Sequence, residues 1–233
     1  MCSRYALTSP PDAVRSYFGH VNEMSYPPRY NIAPTQPVAI IRLDYAKQRE
    51  MTLVRWGLIP SWIKDPAKVS VMINARAETA GAKPSFRGSL RHKRCLVPAD
   101  AFYEWSGPAG RKRPNMMQSA KGGVMALAGL WEHWLGADGS EIETMAILTV
   151  PANSSVRRIH DRMPAILRPE QFEAWLDVSS GRSTEAEAII AEGVADDFLE
   201  IAEVSTALNN VHNDSPEVQE IGSAPTRGVS PQA

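Results

Sequence analysis

The sequence predicts one α+β domain, rich in short strands, with a few helices packed outside it. Three observations point there. The chain has 233 residues, 43% of them hydrophobic, which suits an ordinary globular core in one large domain or two small ones. Prolines at 27, 28, 34, 37, 60, 66, 84 and 98 punctuate short apolar runs rather than alternating with long helices, which argues against a doubly wound βαβ fold. Neither an internal repeat nor a long low-complexity tract is present.

The elements follow in order. Ser9-Pro10-Pro11-Asp12 reads as an N-cap with proline at the first helical position, and Gly19 stops that helix. Val38–Leu43 and Met51–Trp56 read as strands joined around Asp44–Lys47. Further strands are expected at Val69–Ile73, Cys95–Val97, Ala101–Trp105, Val124–Trp131 and Ile142–Val150. One helix opens at Arg168-Pro169-Glu170. Another opens at Thr184, with Glu187 three residues on in a capping-box pattern. Phe198–Val204 reads as a last strand. Residues 1–212 then form the domain, and residues 213–233, small, polar and proline-bearing, read as a disordered tail.

Composition excludes several classes. No apolar run approaches the ~20 residues of a membrane span, and no apolar segment follows Met1 as in a secretion signal. Two cysteines, Cys2 and Cys95, cannot build a disulfide framework and fit a reducing cytoplasm. The cysteines and five histidines lack the paired spacings of a zinc site, so no metal is expected. No glycine-rich phosphate loop occurs, and no cofactor is expected either.

The formal net charge of −1 hides an asymmetry. Residues 1–115 carry a balance of +10 and residues 116–233 a balance of −11, with ten acids and no base between Ser183 and Glu220. Arginine outnumbers lysine 18 to 7, which favours planar, bidentate contacts such as those to phosphate. Such segregation points to a polyanion partner, or to two halves that neutralise each other within one fold.

Few residues can carry chemistry. Removing Met1 would leave Cys2 with an α-amine and a thiol on adjacent carbons, each partly nucleophilic near neutral pH. An aldehyde meeting this pair gives a Schiff base, and the thiolate then closes a five-membered thiazolidine. Glu104 sits among aromatics in Ala101-Phe102-Tyr103-Glu104-Trp105. Buried there, it would have a raised pKa suited to acid–base work; on the solvent face of the strand it would have no such role. His160, in Arg158-Ile159-His160-Asp161-Arg162-Met163-Pro164, is a proton shuttle or an ordinary loop histidine. Asn74 and Arg76 could orient a substrate or cap a turn. Tryptophans among arginines make a stacking platform for unpaired bases; Trp56 reads as core and Trp62 as exposed.

Together these residues resemble the SRAP family, the SOS response-associated peptidases, which includes YedK-like abasic-site processing proteins. The resemblance spans roughly residues 1–212. It rests on six motifs in the family's order: Met1-Cys2-Ser3-Arg4, Arg29-Tyr30-Asn31-Ile32-Ala33-Pro34, Trp56-Gly57-Leu58-Ile59-Pro60, Asn74-Ala75-Arg76-Ala77-Glu78-Thr79, Phe102-Tyr103-Glu104-Trp105 and His160-Asp161-Arg162-Met163-Pro164. It implies a distorted β-barrel at the centre of the domain, and a monomer that senses abasic sites in single-stranded DNA through a covalent cross-link. Carried onto this chain, Cys2 is the nucleophile after the protein removes its own Met1, Glu104 moves protons, His160 favours the open aldehyde and Asn74 holds the Cys2 end. Arg4, Arg76 and Arg162 look like phosphate contacts, with Trp62 and Trp105 walling the site. The family commonly has glycine where this chain has Ser3. Two other readings use the same residues: an N-terminal-nucleophile amidohydrolase, and a non-catalytic single-strand binder.

Overall fold

Strand pairing, set by runs of buried aliphatic residues, builds the fold. A computed structural model describes residues 2–222. In chain order the strands are β1 (Tyr5–Leu7), β2 (Arg29–Ile32), β3 (Pro37–Leu43), β4 (Arg49–Trp56), β5 (Asn74–Arg76), β6 (Arg94–Ala99) and β7 (Ala101–Ser106). They continue as β8 (Arg113–Ser119), β9 (Met125–Leu135), β10 (Glu141–Pro151), β11 (Arg162–Pro164), β12 (Ile166–Leu167) and β13 (Leu199–Glu203). The helices are short: α1 (Pro11–Phe18), α2 (Ala77–Ala80), α3 (Arg87–His92), α4 (Ser154–Arg157), α5 (Phe172–Leu176) and α6 (Ser183–Ala191).

Five strands close a barrel. β10 runs parallel to β4, and antiparallel pairs then join β4 to β3, β3 to β6, β6 to β9 and β9 back to β10. Its core is aliphatic, with Ile40, Val97, Leu127 and Ile147 fully enclosed. A second sheet runs in the order β13-β8-β7-β1-β2. Behind it lies a smaller core of Ala6, Ala101, Tyr103, Met116, Val204, Leu208 and Val218.

Two irregularities in the barrel wall position the site. At Gly57, which adopts φ +134, the chain leaves β10, and a Cβ there would meet Val71 at 2.5 Å. The chain returns through a bridge between Leu58 and Met72, and β5 takes the next stretch of the β10 edge, Asn74 opposite Ile147. Farther along, β9 and β10 splay apart. Ala165 spans the gap, accepting from Ala128 N–H at 2.8 Å and donating to the Leu148 carbonyl at 2.9 Å. β11 and β12 flank it on β10 and β9.

Several local expectations need correction. Val69–Ile73 is no strand beyond the Met72 bridge, because β4 occupies the β10 edge as far as Met145 and pairing resumes only at Asn74. α6 begins at Ser183 with Arg182 as its N-cap, and the Glu187 carboxylate lies over Gly81 instead of closing a capping box with Thr184. Pro10 is the N-cap of α1, since the Ser9 hydroxyl donates to Asp100 Oδ1 at 2.5 Å; Gly19 does end the helix, at φ +66. β1, β2 and β8 were not anticipated; each is short or rich in polar residues.

Residues 213–222, expected in the tail, are built into the domain. Residues 216–219 form a 3-10 turn whose Val218 is buried in the smaller core, and Ile221 bridges to Val204. Asp214 accepts from the backbone N–H groups of Tyr30 (2.5 Å) and Asn31 (2.9 Å) and pairs with Arg29. The rest of the expected tail, 223–233, lies outside the described residues, as does Met1. Among the described residues no helix is long and apolar enough to cross a membrane.

Candidate active site

Cys2 is fully buried at the start of the chain leading into β1. Tyr5 in that strand pairs with Phe102 of β7, and the Arg4 carbonyl accepts from Tyr103 N–H at 3.1 Å, so the Cys2 end runs beside Glu104. Burial, and then the charge of Glu104, push the Cys2 thiol well above its ordinary range. It is a thiol, not a thiolate, at neutral pH.

Asn74 opens β5, and its Nδ2 donates to the Cys2 carbonyl at 2.6 Å. Its Oδ1 is buried with no hydrogen-bond partner among the described residues. Trp56 keys both ends of this contact. Its indole N–H donates to the Ile73 carbonyl at 2.9 Å, just before Asn74, and its ring meets Tyr5 edge-on with centroids 5.2 Å apart. Trp56 is therefore core, as its motif suggested.

Glu104 is 3% exposed, which removes the solvent-face reading. Alternation along β7 explains it: Ala101 and Tyr103 face the smaller core, while Phe102 faces the barrel core, and Glu104 shares the Phe102 side. Burial raises its carboxyl above the usual carboxylate range, and the nearby His160 opposes that shift. A carboxyl so placed can hold or release a proton closer to neutral pH.

His160 follows α4, held by its N–H donating to the Val156 carbonyl at 3.0 Å. Its Nδ1 lies 2.9 Å from the Arg162 N–H and 3.0 Å from Asp161 Oδ1. An Nδ1 lone pair accepts from the first and an Nδ1–H donates to the second, so the two contacts are alternatives set by which ring nitrogen carries hydrogen. Arg162 itself is committed. Its Nη1 and Nη2 take Glu78 Oε1 and Oε2 at 2.5 and 2.9 Å, and Nη2 also donates to the Thr149 carbonyl at 2.5 Å.

Cys2, Asn74, Glu104 and His160 thus form one cluster, linked by the Cys2–Asn74 hydrogen bond and by electrostatic coupling of Glu104 to Cys2 and His160. Arg4 and Trp105 border it, the guanidinium carbon 5.9 Å from the ring centre. Arg76 is exposed at the end of β5. Trp62, 60% exposed, lines a separate cleft with Arg87, Arg91 and His92. Sequence reasoning gave no role to Glu78 or Asn31, although both lie in the quoted motifs, and it passed over Leu208, Asn209 and Asp214. Only the motif membership of the first two was a signal; partners 84 and 177 residues apart in the chain leave none.

A sequence profile of the SOS response associated peptidase (SRAP) family matches residues 1–211. The chain belongs to the SRAP family. Among SRAP relatives, it is 39% identical to the Bacillus subtilis "Abasic site processing protein YoqW", over 94% of this chain and 99% of that protein. To the chicken (Gallus gallus) "Abasic site processing protein HMCES" it is 36% identical, over 84% of this chain and 67% of the relative. A crystal structure from Bacteroides thetaiotaomicron superposes with a TM-score of 0.84 at 25% identity, covering 95% of this chain and all of that one. One from Bordetella bronchiseptica gives 0.75 at 29% identity, covering 88% and 100%.

Proposed function

We propose that this SRAP protein processes abasic sites in single-stranded DNA by forming a covalent thiazolidine through Cys2 once its own Met1 has been removed. The names of the relatives support abasic sites as the target. The observation that carries the chemistry is the buried Glu104 carboxyl, close enough to both Cys2 and His160 to interact electrostatically with each, on the strand beside the Cys2 end.

The order of steps follows from the two nucleophiles. The thiol is held protonated by burial and by Glu104, whereas an unperturbed α-amine has a pKa of roughly 7.7–8.0. The amine therefore attacks first. Its nitrogen bonds to C1′ of the ring-opened sugar, and the resulting carbinolamine loses one water to give the imine. Sγ then bonds to the imine carbon; the thiol proton leaves through Glu104 and the imine nitrogen gains a proton. The ring holds both heteroatoms of Cys2, and the net change is the loss of one water. His160 serves the opening of the sugar by protonating its ring oxygen, and Asn74 holds the Cys2 carbonyl so that amine and thiol face one carbon. Arg4 and Arg76 contact phosphates, Trp105 and Trp62 stack on bases, and Arg162 does so only by sharing or releasing Glu78.

Intact-mass spectrometry before and after mixing with an abasic single-stranded oligonucleotide tests the reading. The expected species is the chain without Met1 plus the oligonucleotide less one water. A chain that has lost Met1 yet gains no such mass would overturn it.

A further inference from the structure

Leu208 and Asn209 are neighbours in the 3-10 turn Thr206–Asn209, and each grips one side chain at the border of the site. The Leu208 carbonyl accepts from Arg4 Nη1 at 3.1 Å and from Asn31 Nδ2 at 3.2 Å. Asn209 Oδ1 accepts from the Trp105 indole N–H at 2.7 Å. Arg4 lies two residues from Cys2, and Trp105 directly follows Glu104. A two-residue step of the turn therefore reaches both strands that carry the chemistry.

The turn is itself fixed. Leu208 is fully buried in the smaller core, and the Ser205 hydroxyl accepts from Ala207 N–H at 3.3 Å. The chain after it is tied to β2, since Asn31 Nδ2 also donates to the carbonyls of Asn210 (3.1 Å) and Asn213 (2.8 Å). Trp105 is half-buried against the rim of the smaller core, so its N–H bond to Asn209 adds a fixed indole orientation to that packing, and ordering a side chain only on binding costs affinity.

We infer that Asn209 is a positioning residue: through the Trp105 indole, and beside the Leu208 carbonyl that holds Arg4, it presets the wall against which single-stranded DNA lies. The inference rests on the function proposed above for Trp105. It assigns Asn209 no contact with the reacting atoms.

The test uses the full chain with two readouts: the indole ¹H–¹⁵N resonance of Trp105, assigned by its loss in Trp105→Phe, and single-turnover cross-linking to an abasic oligonucleotide. In Asn209→Ala, solvent exchange of that indole proton should quicken, and the half-saturating DNA concentration should rise about 3- to 10-fold, as loss of one hydrogen bond allows. The rate at saturating DNA should change far less. Asn209→Asp keeps the acceptor oxygen and should restore the resonance. Adding Asn209→Ala to Trp105→Phe should change the half-saturating concentration less than about twofold, because the donor is already gone. An unmoved indole resonance in Asn209→Ala, or fully additive losses in the double variant, would overturn the inference. A wild-type protein that forms no adduct defeats the proposed function instead, and the indole readout still decides the positioning.

Discussion

Arg162 grips Glu78 through both terminal nitrogens, and this one pair ties together the two segments that supply Asn74 and His160. Glu78 stands four residues after Asn74, and Arg162 two after His160. Because Arg162 also donates to the Thr149 carbonyl, the clamp crosses β10, which separates the two segments in the sheet. The spacing between Asn74 and His160 is thus braced by a charged pair outside their cluster.

Glu78→Gln should destabilise the fold by about 1–2 kcal/mol, lowering Tm by roughly 2–8 °C. The figure stays small because Glu78 is 46% exposed and water screens part of the attraction. The Arg162 hydrogen bonds hold the Glu78 carboxyl below its ordinary range. A depressed folded pKa contributes stability above the unfolded value and loses it as pH falls through the folded one. Melting curves of wild type and Glu78→Gln should therefore differ at pH 7 and converge in acid. A gap that persists well below pH ~4 would show that charge is not its source.

Glu104→Gln should act in the opposite direction on stability. Burial raises the Glu104 carboxyl, so the folded chain holds a proton that the unfolded chain has already released. Stability is then lost as pH rises from the ordinary carboxylate value to the raised one. The amide carries no such penalty, and its Tm should exceed that of wild type at neutral pH and match it near pH 4 and below. Cross-linking should fall by at least ~100-fold, in the range typical of a lost general acid–base group, with binding of undamaged single strands little changed. A variant that melts lower at neutral pH, or loses binding as much as cross-linking, would make Glu104 a structural residue.

The strand-rich class was legible because proline spacing and short β-branched runs are local signals. Cys2, Asn74, Glu104 and His160 stand out in the sequence because each lies in a contiguous motif, and their proximity in the fold is what the structure adds. The burial of Glu104 was not legible, because alternation alone does not say which face of β7 meets a core when both do. Asp214 reads as a tail residue in a polar, proline-bearing stretch, yet it binds two backbone N–H groups of β2. Val69–Ile73 looked like a strand because its residues are apolar, and it failed because the sheet edge it needed was taken.

Asn31 should matter to stability more than any other polar residue near the site. It is fully buried; its Oδ1 accepts from Arg4 at 2.8 Å, and its Nδ2 serves three carbonyls between residues 208 and 213. Asn31→Ala leaves the Asn213 carbonyl without its donor and Arg4 without its amide acceptor, while the Leu208 and Asn210 carbonyls keep one donor each, and it should cost about 2–4 kcal/mol. Urea unfolding measures it. A shift below ~0.5 kcal/mol would mean that water replaces the amide at no cost.

Cys2→Ser separates the two proposed steps. The variant keeps the α-amine once Met1 is gone, so the imine still forms with the open sugar. Its hydroxyl is a far weaker nucleophile than sulfur toward the imine carbon, and the imine hydrolyses when the protein is denatured. No adduct should survive a denaturing gel. Adding cyanoborohydride reduces the imine to a secondary amine, hydride going to carbon and a proton to nitrogen, and should restore a covalent band. Processing of Met1 must be checked by mass, because a blocked amine would give the same blank lane without reductant. A stable Cys2→Ser adduct formed with no reductant would remove sulfur from the linkage, and a processed variant that cannot be trapped would remove the amine.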